Sequence, residues 1–103
     1  MLNVDELIKE SMKDHRFKEL RVYRNLKTMI MNFKTQKNAP EYTEAVEISL
    51  IRKYMQQTEE AMSQYDEAGR KAMVKECLEE IEVLRKLLPK EIDRLVFYWR
   101  AMA

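Results

Sequence analysis

The only glycine of this 103-residue sequence, Gly69, lies between two long amphipathic stretches and limits the folds open to the chain. A residue without a Cβ readily adopts the left-handed backbone that ends a helix, so Gly69 predicts a tight turn. Apolar residues recur on both sides at spacings of three and four, the pattern of a helix that packs along one face. Residues 43–89 are therefore predicted to form an antiparallel helical hairpin.

The two arms of this hairpin each have one apolar face. The first arm is predicted to begin at Thr43, a suitable N-cap, and its core face is Leu50, Ile51, Tyr54, Met55, Thr58, Met62 and Tyr65. The second arm is predicted to run from about Arg70 to Leu88, with the core face Met73, Val74, Cys77, Leu78, Ile81, Leu84 and Leu88. Pro89 ends this arm or begins the next element.

The same residues carry a family resemblance. A tyrosine three places before Ala-Gly-Arg, then a Glu-rich helix and Leu-Pro-Lys, resembles the GatB/YqeY family, which comprises YqeY-like proteins and the tail of the glutamine-dependent amidotransferase B subunit. The similar positions are Leu20, Arg24, Ile30, Asn32, Lys53, Glu60, Tyr65, Ala68, Gly69, Arg70, Glu76, Glu80, Glu82, Leu84, Leu88 and Pro89. The sequence departs from the pattern at Ala72-Met73, where the family has Asp-Leu, and at Leu87, where it has Tyr.

The resemblance implies both a fold and a role. It implies an all-α bundle of four to five helices over residues 1–90, like the N-terminal domain of YqeY. The apolar spacing after Pro89 separately predicts a short C-terminal helix over residues 91–103. Family members continue into a second helical domain, and we expect no activity here that depends on it. In the amidotransferase the related tail helps to hold tRNA during amidation, a carbon–nitrogen ligation with glutamine as amide donor. That chemistry belongs to other parts of the enzyme, so the resemblance implies a non-catalytic accessory module that binds tRNA or an amidotransferase-type protein.

Composition narrows the class of protein independently. Two prolines, one glycine and 36% charged residues are typical of an all-helical domain. The single cysteine, Cys77, excludes an internal disulfide and lies on an apolar helix face, so we expect a buried thiol in a reducing compartment. Neither a signal peptide nor a run of about 18 apolar residues is visible, which favours a cytoplasmic protein with no membrane contact.

Two further helices are predicted before the hairpin. Asn3 or Asp5 caps the first, whose inward side chains are Val4, Leu7, Ile8 and Met12. A break is expected near Asp14 and His15, with Asp14 as the next N-cap, although a continuous or kinked helix is the alternative. The second helix is predicted from about His15 to Thr35, with the core face Val22, Leu26, Met29, Ile30 and Phe33 and with Tyr23 at the edge of that face. Residues 36–42 form a polar connection that we expect to be mobile.

Charge is unevenly distributed along the chain. Residues 9–37 contain nine Lys or Arg and three acids, whereas residues 41–82 contain five and eleven. Attraction between the two halves is the simpler explanation of this uneven charge, and a basic surface for an anionic partner is the more specific one. The candidate phosphate contacts form a one-sided stripe of Lys13, Arg16, Arg24, Lys27 and Lys34. Arg24 has a second interpretation as the ion-pair partner of Glu47, which falls on an apolar face.

The remaining features point away from catalysis. No Gly-rich phosphate loop or nucleophile motif is present, and His15, the only histidine, is expected to be an exposed turn residue rather than a metal ligand. We therefore predict no catalytic residue, no metal and no cofactor. The segment containing Phe97, Tyr98 and Trp99 is apolar on several faces, so it packs on the bundle or supports self-association. A helical protein–protein adaptor or small homo-oligomer is thus the alternative function.

Overall fold

A computed structural model describes residues 2–88 of the chain. This part contains four α-helices and no strand: α1 (Val4–Lys13), α2 (Phe17–Thr35), α3 (Glu44–Glu67) and α4 (Lys71–Leu87). The all-α prediction is confirmed. Pro89 and the helix predicted for residues 91–103 lie outside the described residues.

The four helices form two hairpins joined through α2. Helix α1 packs on α2 and α3 packs on α4, while α2 also contacts both α3 and α4. The buried core is drawn from all four helices and consists of Val4, Val22, Tyr23, Leu26, Ile30, Ile51, Tyr54, Met55, Leu84 and Leu88. Leu26, Ile51 and Leu84 are at most 1% exposed, which places the centre of the core between α2, α3 and α4.

The turn between α3 and α4 confirms the role predicted for Gly69. Its φ is +73°, in the left-handed region, and Ala68 is the C-cap of α3. The Arg70 amide donates to the Tyr65 carbonyl at 2.9 Å, and the Gly69 amide donates to the Asp66 carbonyl at 3.1 Å. These two bonds make a Schellman motif, which satisfies carbonyls that the end of the helix would leave unpaired.

The turn between α1 and α2 repeats this arrangement with a histidine. His15 has φ +55°, and the Arg16 amide donates to the Ser11 carbonyl at 2.9 Å. The predicted break is confirmed, as is the exposure of His15. The prediction for Asp14 is wrong: it is the C-cap of α1, and the N-cap of α2 is Arg16, so α2 begins at Phe17 rather than His15.

Two predicted N-caps are confirmed. Asn3 caps α1 by accepting from the Glu6 amide at 3.2 Å, and Thr43 caps α3 by accepting from the Val46 amide at 3.3 Å. Both bonds satisfy amides that the first turn leaves free.

Two predicted core residues are exposed instead. Met12 and Leu78 are 51% and 49% exposed, because each lies at the edge of its helix's apolar face, beyond the reach of the neighbouring helix. None of the described helices is both long and apolar enough to cross a bilayer.

Candidate nucleic-acid interface

The five cations of the predicted stripe all belong to the α1–α2 hairpin. The predicted stripe implied that Lys13 continues the face of α2, but Lys13 lies in the last turn of α1. Arg16 lies in the connection between the two helices, as the N-cap of α2. Arg24, Lys27 and Lys34 follow along α2. Lys27 is half-buried and the other four are exposed. The structure therefore puts the stripe on one hairpin but divides it between two helices.

Three of these cations have partners within the chain. Arg16 forms ion pairs with Glu19 at 2.9 Å and with Asp14 at 3.5 Å, and Lys27 pairs with Asp5 at 2.5 Å. The Lys34 ammonium lies 4.6 Å from the centre of the Tyr42 ring, a cation–π contact.

Lys13 and Arg24 form no ion pair within residues 2–88. The proposed pairing of Arg24 with Glu47 is wrong, although Glu47 is buried and does have partners. Its carboxylate accepts from the Leu2 amide at 3.0 and 3.3 Å and from the Tyr42 hydroxyl at 2.9 Å. Donors from the chain's first residues and from the α2–α3 connection satisfy this carboxylate, so Arg24 remains exposed.

Other cations of α2 face the acidic helix α4. Lys18 pairs with Glu79 at 2.6 Å and Arg21 pairs with Glu80 at 2.7 Å. The hydrogen bond from Lys18 keeps the pKa of the Glu79 carboxyl below its ordinary value. Attraction between the basic and acidic halves, the simpler of the two explanations, accounts for these two residues.

A cleft of about 250 Å³ opens between α3 and α4 beside α2. Its polar lining comes from Arg21, Gln57, Tyr65, Glu76 and Glu80. The less polar part of the lining is Tyr54, Thr58, Ala61, Met73 and Cys77. Tyr65 belongs to one predicted arm of the hairpin and Glu76 and Glu80 belong to the other, but no sequence pattern indicates that they line a common space or that Arg21 reaches it from α2.

The environment of this cleft disfavours a reactive nucleophile. Burial, and then the charges of Glu80 and Glu76, raise the pKa of the Cys77 thiol. Because the thiolate is the nucleophilic form, this cysteine is held in its unreactive form. Burial likewise raises the pKa of Tyr54, whose hydroxyl accepts a hydrogen bond from the Asn25 amide at 3.0 Å. Within the described residues no group of three His, Cys, Asp or Glu is arranged to hold a metal ion.

Comparison with known proteins identifies the family. The family model described as Yqey-like protein matches residues 2–95. The chain belongs to the YqeY-like family. No curated protein and no solved structure gives a significant match. The relationship to the amidotransferase B subunit is not tested by this match and stays a prediction.

Most of the described positions that carried the YqeY resemblance fall into three structural groups, which are the α3–α4 turn together with the core, the cleft, and the exposed surface. Gly69 and Arg70 make the α3–α4 turn, and Leu84 and Leu88 belong to the core. Tyr65, Glu76 and Glu80 line the cleft. The third group is exposed and consists of Arg24, Asn32, Lys53, Glu60 and Glu82. The residue types of the first two groups are explained by their places in the fold. The fold of residues 2–88 gives no such explanation for the exposed group.

Proposed function

We propose that this YqeY-like chain is a non-catalytic accessory module that binds structured RNA, tRNA in the first instance, through the α1–α2 hairpin. The observation that supports this most is the exposure of Lys13 and Arg24 without ion-pair partners within residues 2–88. An accessory role beside glutamine-dependent amidation of tRNA-linked acids is the form that the GatB/YqeY resemblance suggests.

The existing ion pairs do not block such a surface. The Arg16 side chain remains 43% exposed in its pairs with Asp14 and Glu19, and the Lys27 side chain remains 45% exposed in its pair with Asp5. Exposed ion pairs contribute about 0–1 kcal/mol and are screened by salt. A phosphate group can therefore replace any of these carboxylates at small cost. Within residues 2–88 Lys34 contacts the Tyr42 ring rather than a carboxylate, so all five cations of the stripe are available to a polyanion.

The proposal is tested by measuring the binding of the full chain to tRNA at two salt concentrations. Displacement of counterions by three phosphate contacts lowers affinity roughly 40-fold between about 50 and 200 mM salt. Arg24→Glu is expected to weaken binding further at the lower salt. Arg52→Glu is the matched control, because Arg52 is an exposed arginine on α3. Absence of binding at low salt, or equal effects of the two variants, contradicts the proposal.

A helical protein–protein adaptor is the second candidate. Met31 on α2 and Leu78 on α4 are 54% and 49% exposed, and large apolar side chains on a surface favour contact with another protein. The aromatic segment first considered for self-association lies outside the described residues. Light scattering over a range of concentrations tests this candidate, and a constant monomer mass argues against self-association.

A further inference from the structure

The turn between α1 and α2 presents two aromatic rings to solvent. Phe17, the first residue of α2, is 66% exposed. Its ring centroid lies 5.8 Å from that of the exposed His15, and the two planes are tilted by 54°. Met12, in the last turn of α1, is 51% exposed. Three large side chains within six residues therefore leave much of their surface in water, where burial would have been favourable.

The backbone of this turn matches that of the α3–α4 turn, where a glycine is present. Arg16 has φ −87° and ψ 75°, and Arg70 in the α3–α4 turn has φ −88° and ψ 75°. The two turns are thus the same structure, with His15 in the place of Gly69. Glycine adopts the left-handed torsion freely, whereas a residue with a Cβ does so at a steric cost. Residues held in such torsions cluster at binding sites.

Three cations are close to these rings in the sequence. Lys13, Arg16 and Lys18 lie between positions 13 and 18 and are exposed, and Lys18 is paired with Glu79 of α4 at 2.6 Å. The one acid among them, Asp14, is paired with Arg16 at 3.5 Å. Lys13 forms no ion pair within residues 2–88, so it is available to an anionic group beside the rings.

We infer that the hairpin tip, defined as Met12, His15 and Phe17, binds an unstacked base of RNA, with an adjoining phosphate at Lys13. The base stacks on the open face of Phe17, and His15 supports the ring from the side. This inference rests on the proposed RNA binding and adds to it the part of the nucleic acid that is recognised.

The size of the tip favours a base over a protein surface. A stable protein interface buries about 800 Å² on each partner, spread over roughly 20–30 residues. Three side chains at one turn are far fewer than that. A single base matches the area of one aromatic ring, and proteins that bind single strands combine such rings with a positively charged groove.

The test uses the full chain and a single-stranded oligouridylate that carries 2-aminopurine at its centre. Stacking on the tip is expected to quench the 2-aminopurine fluorescence on binding. Phe17→Ala is expected to weaken binding roughly tenfold, in the range found for loss of a base–aromatic stack. Leu78→Ala removes an apolar side chain of similar exposure from α4 and serves as the matched control, with no change expected.

His15→Gly separates binding from stability. Glycine suits the left-handed torsion, so this variant is expected to melt at a higher temperature than the wild-type chain while binding the oligonucleotide more weakly. Weaker binding by a more stable protein cannot come from unfolding.

Three results overturn the inference. If tRNA binds with the expected salt dependence but Phe17→Ala and His15→Gly bind the oligonucleotide like the wild type, the tip is not the site and the proposed RNA binding stands. If neither RNA binds at low salt, both fail. If Phe17→Ala changes the oligomeric state and leaves RNA affinity unchanged, the tip contacts protein instead.

Discussion

The hydroxyl of Tyr42 donates a hydrogen bond of 2.9 Å to the buried carboxylate of Glu47. The Leu2 amide donates to the same carboxylate at 3.0 Å. Phe33 of α2 contacts the Tyr42 ring, with a centroid distance of 6.2 Å. One acidic side chain of α3 therefore joins the beginning of the described chain to the α2–α3 connection, which in turn packs on α2.

Removal of this carboxylate is expected to destabilise the bundle. Glu47→Ala should lower the free energy of unfolding by about 2–3 kcal/mol, because the Leu2 amide and the Tyr42 hydroxyl then lose their acceptor. Urea unfolding followed by circular dichroism measures the change. Glu60→Ala, at an exposed site in the middle of α3, is the control and should stay within about 0.5 kcal/mol. Equal losses in the two variants would show that the Glu47 hydrogen bonds contribute nothing.

Tyr42 is expected to make stability fall at alkaline pH. Burial, then the hydrogen bond to Glu47 and its charge, raise the pKa of Tyr42 above its ordinary value of 10.0. Folding thus favours the protonated phenol. The stabilisation is fully present below about pH 10, the unfolded value, and is lost as pH rises towards the folded value.

Tyr42→Phe should therefore show a shallower loss of unfolding free energy than the wild type when the pH rises from about 9 to about 11. The slope is reduced and not abolished, because burial also raises the pKa of Tyr23 and Tyr54. Urea unfolding at a series of pH values measures it. An unchanged slope would mean that Tyr42 does not titrate with folding.

Ser11 is a site where loss of a polar atom is expected to stabilise the protein. Its Oγ is buried on α1 and has no hydrogen-bond partner in the described part of the chain. Ser11→Ala removes the desolvation cost of that atom, about 1 kcal/mol or more. Ser49→Ala, at an exposed site in α3, is the control, because it gains the same helix propensity without removing a buried hydroxyl. Thermal unfolding should show Ser11→Ala as the more stable variant, and the reverse order contradicts the expectation.

The stability cost of substituting Gly69 is expected to depend only on how readily the new residue adopts the left-handed torsion. A Cβ at this position would meet no atom within 4 Å, so steric contact with the rest of the protein is not the obstacle. Gly69→Ala should cost about 1–2 kcal/mol through its left-handed torsion, and Gly69→Asn should cost less. Thermal unfolding ranks the three proteins. A Gly69→Ala variant as stable as the wild type would show that the turn adopts another torsion.

The hairpins and the core could be predicted because they depend on local sequence and periodicity. Gly69 fixed the α3–α4 turn through its own torsion, and the buried positions Ile51 and Leu84 followed from helical spacing. Asp14 was misplaced because aspartate is a preferred N-cap, and a histidine in the left-handed torsion gives no sequence signal that the turn is centred on His15. Leu78 was misplaced because periodicity defines a face but not how far the neighbouring helix extends over it.

The candidate site was less predictable because it depends on contacts between distant residues. The stripe of cations could be read from sequence, but the partner of Lys27 lies 22 positions earlier, at Asp5, and that of Lys34 lies in the following connection. A partner for Glu47 was predicted because a buried acid needs donors. Arg24 was the wrong donor, since the Leu2 amide and the Tyr42 hydroxyl bind this carboxylate. An amide of the backbone has no sequence signature, which is why Leu2 was missed.

Helix α2 contacts both helices of the other hairpin, and this has a kinetic consequence. The α1–α2 and α3–α4 pairs join neighbouring stretches of chain, so each can assemble rapidly and without waiting for the other. Contacts of α2 with α3 and α4 join more distant stretches and complete the bundle last. Truncating Leu26 of α2 should therefore speed unfolding more than it slows folding.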